Sequence, residues 1–321
     1  MNEYLPNKTY FGDCRETMRA MISSGVKVQM CVTSPPYFGL RDYGHDEQIG
    51  LEKTPEEYVK ALVETFRLVR ELLKDDGVLW LNLGDSYCNS NGFARASEKY
   101  QRKGRKNMPA NDRNLNNLHE AGYKTKDLIG IPWLVAFALR SDGWYLRQDI
   151  IWSKPNPMPE SVTDRCTKSH EYIFLLAKSQ KYFYDAEAVK EIVAREWNEL
   201  NGGNLSPTGK HKANGKYREK GGNYSVCTGT RNRRSVWTIP TKSYKGAHFA
   251  VFPAELIAPC ILAGSRPGDI VLDPFMGSGT TSEVCQRLGR KWIGCELNEQ
   301  YAPLQHERTA QKVFDFNEET A

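Results

Sequence analysis

Asp269-Ile270-Val271-Leu272-Asp273-Pro274-Phe275-Met276-Gly277-Ser278-Gly279-Thr280-Thr281 is the stretch that decides the fold. Residues 269–273 read as a short buried strand. Pro274 to Gly279 form a glycine turn, and Thr280-Thr281 open a helix carrying Val284, Cys285 and Leu288. Lys291-Trp292-Ile293-Gly294-Cys295-Glu296 is the next strand, and a final helix follows from about 298 to 312. Gly277 and Gly279 let backbone approach a ligand and leave the amides of the helix N-terminus open. Glu296 closes the second strand roughly 20 residues on, the spacing expected of an acid that binds ribose hydroxyls.

That unit calls for a nucleoside ligand. The G-x-G-x-x-G of nicotinamide sites is not matched, because Thr280-Thr281-Ser282 follow Gly279, and no Gly-Lys-Ser/Thr follows as in a P-loop. A nucleoside whose small anionic group is a carboxylate fits better, which points to S-adenosylmethionine.

Outward from this unit, strands and helices alternate along the chain. Thr9 to Asp13 is a strand ending in an acidic turn, and 14–24 a short amphipathic helix. Val28 to Val32 is an apolar strand. Thr54-Pro55-Glu56-Glu57 starts a helix with a Thr cap, Pro in the first position and acids in the first turn. Val78 to Leu83 is a nearly continuous apolar strand, the kind buried in a parallel sheet. A helix near 127–140, a strand near 144–152 and another at 171–177 follow, with Lys181 to Tyr184 expected to pair with the last as a hairpin. The pattern predicts an α/β fold with a mostly parallel sheet covered on both faces. With 321 residues, one large domain or a domain with an insertion is expected.

Two stretches break the pattern. Residues 86–126 are rich in Asn, Lys and Arg, include Arg102-Lys103-Gly104-Arg105-Lys106, and read as a basic mobile insertion. Residues 185–245 are again poor in aliphatics, with Arg231-Asn232-Arg233-Arg234 as the densest basic cluster. Arg102, Lys103, Arg105, Lys106, Arg231, Arg233 and Arg234 are candidate contacts to phosphates or base edges. The net charge is only +5, so this distribution matters more than the total. Eight cysteines without a C-x-x-C pair predict reduced core thiols and no zinc site. No run is long enough for a membrane span, and the N-terminus lacks the pattern of a signal peptide.

Thr33-Ser34-Pro35-Pro36-Tyr37 follows the strand at 28–32. Two prolines fix their own φ and push the preceding residues out of the helical region. The result is a rigid turn carrying a hydroxyl, exposed carbonyls and an aromatic ring. It can hold a flat polar ring between Tyr37 and the Ser34–Pro35 edge.

Taken together, these segments resemble the amino-methylating DNA methyltransferases, which modify an exocyclic amine. The family's Asp-Pro-Phe-x-Gly-x-Gly-Thr cofactor segment is Asp273 to Thr280 here, and its Ser/Asp/Asn-Pro-Pro-Tyr turn is Ser34 to Tyr37. The catalytic turn comes first and the cofactor turn last, which resembles the β arrangement, a circular permutation with the recognition region between. The resemblance implies a Rossmann-like, S-adenosylmethionine-dependent fold: a catalytic and cofactor domain of 1–184 and 246–321, and a target recognition region of 185–245. It implies catalytic roles for Ser34, Pro35, Pro36 and Tyr37. It implies cofactor contacts from Asp13, Thr33, His248, Phe252, Asp273, Pro274, Phe275, Gly277, Gly279, Thr280, Thr281 and Glu296. Asn82 to Tyr87 is a further matching segment. Double-stranded DNA is the implied partner, a cognate restriction endonuclease a possible second one, and a prokaryotic or phage cytoplasm the implied setting.

Within that family Ser before Pro-Pro-Tyr is typical of cytosine-N4 enzymes, and Asp or Asn of adenine-N6 enzymes. The expectation is therefore N4 methylation of a flipped-out cytosine, with adenine N6 the alternative and an RNA amino group a more distant one. Cytosine C5 chemistry needs a cysteine nucleophile; Pro259-Cys260 is the only Pro-Cys pair, and its apolar surroundings place Cys260 in the core.

Overall fold

The computed structural model describes residues 4–40, 44–45, 48–88, 114–192, 212–213, 216–217, 230–241 and 252–310. The chain divides into two compact units, one of residues 1–184 and 235–321, the other of 185–234. The larger unit holds the sheet. Its strands are β1 (Lys8–Phe11), β2 (Val28–Thr33), β3 (Leu73–Leu83), β4 (Tyr145–Ser153), β5 (His170–Ala177), β10 (Val236–Thr238), β11 (Ile270–Asp273) and β12 (Lys291–Glu296), numbered in chain order. They lie side by side as β1-β12-β11-β2-β3-β5-β4-β10. β5 pairs antiparallel with both neighbours, and every other pairing in this sheet is parallel.

The helices are α1 (Cys14–Ser23), α2 (Pro55–Leu72), α3 (Asn114–Glu120), α4 (Ile131–Ser141), α5 (Ala254–Gly264), α6 (Thr280–Arg287) and α7 (Ala302–Thr309). Period-two alternation along the strands separates two faces. Leu79, Leu81, Leu272 and Ile293 join one core with Met18 and Met21 of α1, Leu62 and Phe66 of α2, and Val135 and Leu139 of α4. Their neighbours Val78 and Trp80 are also buried, on the opposite face. There α5 lies so close that a Cβ on Gly264 would meet Met30, Trp80 and Val78 at 3.0 Å. An apolar strand covered on both sides is what the continuous run 78–83 demanded.

Several local expectations change. β3 starts at Leu73, directly from α2, with Gly77 inside it. Lys181 to Tyr184 form no strand; instead the Ser179 hydroxyl lies within hydrogen-bonding distance of the carbonyls of Asp75 and Lys181, and Phe183 N–H donates to Asp76 O. The helix expected from 127 starts at Ile131, because Gly130 sits at φ +84° and Asp85 Oδ1 accepts from the N–H groups of Gly130 and Ile131, both at 2.9 Å. Part of the expected basic insertion is tied to the larger unit: Leu118 on α3 is buried in the core and the Tyr123 hydroxyl bonds Glu56, while most of 119–126 is exposed; residues 89–113, with Arg102, Lys103, Arg105 and Lys106, lie outside the described residues. Residues 235–241, read with the recognition region, lie in the larger unit, where β10 pairs with β4.

In the smaller unit β6 (Glu191–Ile192) pairs with β9 (Thr230–Arg231), and β7 (Lys212–Ala213) with β8 (Lys216–Tyr217).

Candidate active site

β2 and β11 are 240 residues apart in sequence and adjacent in the sheet. Chain connections leave this pair in opposite directions, β11 to β12 and β2 to β3. The carboxyl ends at such a switch point are where open α/β sheets bind ligands. The glycine turn leaves the end of β11, and Ser34 to Tyr37 leave the end of β2. Both face one cleft of about 250 Å³.

On one side the cleft is walled by Gly12, Asp13, Phe252, Pro274, Phe275, Gly277, Ser278, Thr280 and Glu296. Glu296 ends β12, and its oxygens accept from Gly277 N–H (2.7 Å) and Asn298 N–H (2.9 Å). Burial raises its carboxyl pKa, against the lowering effect of those two amides. Burial also pushes Asp13 up, but the hydrogen bonds from Arg15 outweigh it and hold that carboxyl below its usual range. Ser278 is fully buried, lines the cleft, and its hydroxyl has no protein partner. A glycine turn, a carboxylate and an orphaned hydroxyl around one space suit a polar nucleoside such as S-adenosylmethionine.

Not every expected contact faces the cleft. Asp273 is fully buried and takes three donors: Thr33 Oγ1 (2.6 Å), Thr281 Oγ1 (2.6 Å) and Phe275 N–H (3.0 Å). Burial pushes its pKa up to about 6 despite those bonds. Thr33, Asp273 and Thr281 are absent from the cleft wall, and so is Gly279. Thr33, Asp273 and Thr281 form a latch behind the wall that ties β2 to β11. Gly279, at φ +87°, shapes the start of α6, where a Cβ would meet Ser282 and Gln305 at 3.0 and 3.2 Å. His248 lies outside the described residues.

The other side of the cleft is built by the Ser34–Tyr37 turn and three neighbouring strands. Ser34, Pro35, Pro36 and Tyr37 all line it. The buried Tyr58 hydroxyl donates to Pro36 O at 2.8 Å, which pins the turn to α2. Ser34 Oγ donates to the Tyr37 hydroxyl (3.3 Å), which donates to Glu171 Oε2 (2.8 Å). Burial first, and the Glu171 charge second, push the Tyr37 phenol well above its ordinary range. Asn82 Nδ2 donates to Tyr172 O (3.0 Å) and Glu171 Oε2 (3.3 Å). Lys154 pairs with Glu171 Oε1 and lies 4.2 Å from the Trp152 ring centroid. The Tyr37 ring packs on Gly84.

Lys154, Glu171 and Trp152 also line the cleft, and the sequence reading missed them. For Glu171 the signal was a polar residue at the tip of an otherwise apolar strand. Glu171 precedes Tyr172-Ile173-Phe174-Leu175-Leu176, and Asn82 interrupts Val78 to Leu83. Cys260 is buried within α5 and does not line the cleft. In the smaller unit Glu191 accepts from Arg231 (3.1 Å) and Arg234 (3.0 Å), while Arg233 is half-buried.

Residues 28–307 match the DNA methylase family of N6 and N4 enzymes. The chain belongs to that family. It is 49% identical over 305 residues to the Type II methyltransferase M.SmaI of Serratia marcescens, covering 94% of this chain and 90% of that one. It is 48% identical over 293 residues to the Type II methyltransferase M.Cfr9I of Citrobacter freundii, covering 91% and 84%. In fold it is similar to the PvuII DNA methyltransferase (cytosine-N4-specific), with a TM-score of 0.60 and 19% identity over 96% of this chain and 87% of that one. The M1.HpyAVI–SAM complex gives a TM-score of 0.53 at 19% identity, over 94% and 98%. S-adenosylmethionine is the cofactor of this family fold, and the cleft described above suits it. No helix among the described residues is long and apolar enough to cross a membrane.

Proposed function

We propose that the chain is a site-specific Type II DNA methyltransferase acting on the N4 amine of a cytosine extruded from duplex DNA. The observation that carries this reading is the convergence of Ser34-Pro35-Pro36-Tyr37 and the glycine turn on one cleft. The short Ser34 hydroxyl, in place of a longer carboxylate or amide, supports cytosine as the target. A fold neighbour named cytosine-N4-specific lends weight.

The exocyclic amine of cytosine is a poor nucleophile, because its lone pair is delocalised into the ring. Donating its two N–H groups to Ser34 Oγ and the Pro35 carbonyl favours a tetrahedral nitrogen with its lone pair aimed across the cleft. The two prolines hold these acceptors rigid, so positioning supplies much of the rate. When bound, S-adenosylmethionine supplies a methyl group on a sulfonium, which is already a good leaving group. Glu296, Gly277, Phe275, Ser278, Asp13 and Phe252 are the residues that would hold it. A base inside a duplex cannot reach Ser34, so the target is flipped out, and Tyr37 offers an aromatic face to it. Residues 185–245 supply target recognition in this reading, with Arg231, Arg233, Arg234 and the 102–106 cluster contributing phosphate contacts. The Type II names of the relatives support a cognate restriction endonuclease as genetic partner.

The test is radiolabelled methyl transfer to unmodified plasmid DNA, followed by nucleoside analysis. N4-methylcytosine is expected. N6-methyladenine would move the target to adenine, and label in RNA but not DNA would overturn the substrate class.

A further inference from the structure

We infer that Glu171 is a positioning residue that fixes the direction of the hydrogen bonds at the catalytic turn, so that Ser34 can only accept from the target amine. The inference rests on the reading of Ser34 as the amine acceptor and adds to it what makes Ser34 an acceptor.

A serine hydroxyl is both donor and acceptor. Left alone in a cleft, Ser34 could turn its proton toward the base, which would present a donor to a donor. Three groups in line remove that freedom. Glu171 is a carboxylate, which accepts only; it is largely buried and paired with Lys154. Tyr37 has one proton and two acceptors in reach, Glu171 Oε2 at 2.8 Å and Asn82 Oδ1 at 3.3 Å, and the nearer, charged carboxylate takes it. The phenol oxygen is then left to accept, and Ser34 Oγ donates to it at 3.3 Å. The Ser34 proton points back into the protein, and its lone pairs face the cleft.

The surrounding charges keep this polarity one-way. Lys154 holds the other carboxylate oxygen and is itself steadied over Trp152. Asn82 Nδ2 adds a second donor to Oε2 at 3.3 Å. Every neighbour of Glu171 in this set donates to it. Strand register supplies the placement: Trp152 faces Glu171 across β4–β5, and Leu83 faces Tyr172 across β3–β5.

The experiment combines Glu171→Gln, Tyr37→Phe and the double variant in the full chain. Glutamine can turn its amide toward the phenol, which lets the relay reverse, while phenylalanine removes its middle and leaves the Lys154–Glu171 pair intact. Each single variant is expected to lower kcat roughly 10- to 100-fold, the loss expected when a reacting group is misdirected. S-adenosylmethionine Kd and KM for DNA should stay within about twofold, given how modest the expected change in binding is. The double variant should be no slower than the worse single variant, as for residues acting in one chain. Losses that multiply, or a Tyr37→Phe enzyme with unchanged kcat, would overturn the inference. If Glu171→Gln does not fold, Tyr37→Phe alone still decides. Ser34→Ala separates the two readings. Full activity in Ser34→Ala would sink the acceptor role itself, whereas an inactive Ser34→Ala beside an unaffected Tyr37→Phe would sink the relay alone.

Discussion

Gly84→Ala should disable methyl transfer through one added methyl group. The Tyr37 ring lies against Gly84, and a Cβ built there would stand 2.5 Å from Tyr37 Cε2 and 3.0 Å from Cδ2. Carbon atoms in contact prefer about 3.5–4.0 Å. The ring must therefore retreat by about 1 Å or more, since the backbone of β3 behind Gly84 is held in the sheet. A retreat of that size moves the phenol off its place beside Glu171 and distorts the 2.8 Å bond between them, which weakens steeply with length and angle. Losing a hydrogen bond to a charged acceptor costs about 1.5–3 kcal/mol. Expressed in the transition state, that is a factor of roughly 10 to 150 in kcat. The cofactor wall comes from the ends of β1, β11 and β12, so S-adenosylmethionine affinity should be unchanged. Single-turnover methylation with calorimetric cofactor binding measures both. A Gly84→Ala enzyme with wild-type kcat, or one that loses kcat and cofactor affinity together, would refute this account.

Three further outcomes follow from the same geometry. Asp273 has a folded pKa of about 6 against 3.8 for the unfolded chain, so its contribution to stability is full below pH 3.8 and is lost as pH rises through about 6. Asp273→Asn should flatten that segment of a melting temperature–pH curve, and an unchanged slope would show that Asp273 does not titrate there. Glu296→Ala removes the acceptor of Gly277 N–H and should weaken S-adenosylmethionine binding by roughly 10- to 150-fold in calorimetry, the worth of about 1.5–3 kcal/mol. Tyr58→Phe deletes the donor to Pro36 O and should cost about 1 kcal/mol in denaturant unfolding, with a smaller loss in kcat than Gly84→Ala.

The sheet was legible where aliphatics run without interruption. Val78 to Leu83 and Ile270 to Leu272 need cover on both faces, and only a layered α/β arrangement supplies it. The cleft was legible as two turns, because glycine and proline restrict backbone in ways that sequence alone reveals. Side-chain direction was not. Asp273 follows Leu272 in a strand and reads equally well as a ligand contact or a latch; only the positions of Thr33 and Thr281 decide. Glu171 and Lys154 sit 134 and 117 positions from Tyr37, so their meeting depends on the order of β3, β5 and β4 in the sheet. The start of α4 was misjudged for a similar reason: its cap, Asp85, comes from another part of the chain.

The adjacency of β2 and β11 also bears on when the enzyme comes into being. A ribosome releases Ser34 to Tyr37 first, then residues 185–245, and only afterwards the glycine turn at 274–279. Until β11 has been made, β2 lacks its partner on that side and Thr33 has no Asp273 to hold. Long-range strand pairing of this kind is the slow, late step of folding. A nascent or truncated chain therefore carries Ser34 without a methyl donor beside it. Competence to modify DNA waits for β11, after residues 185–234 have already been synthesised.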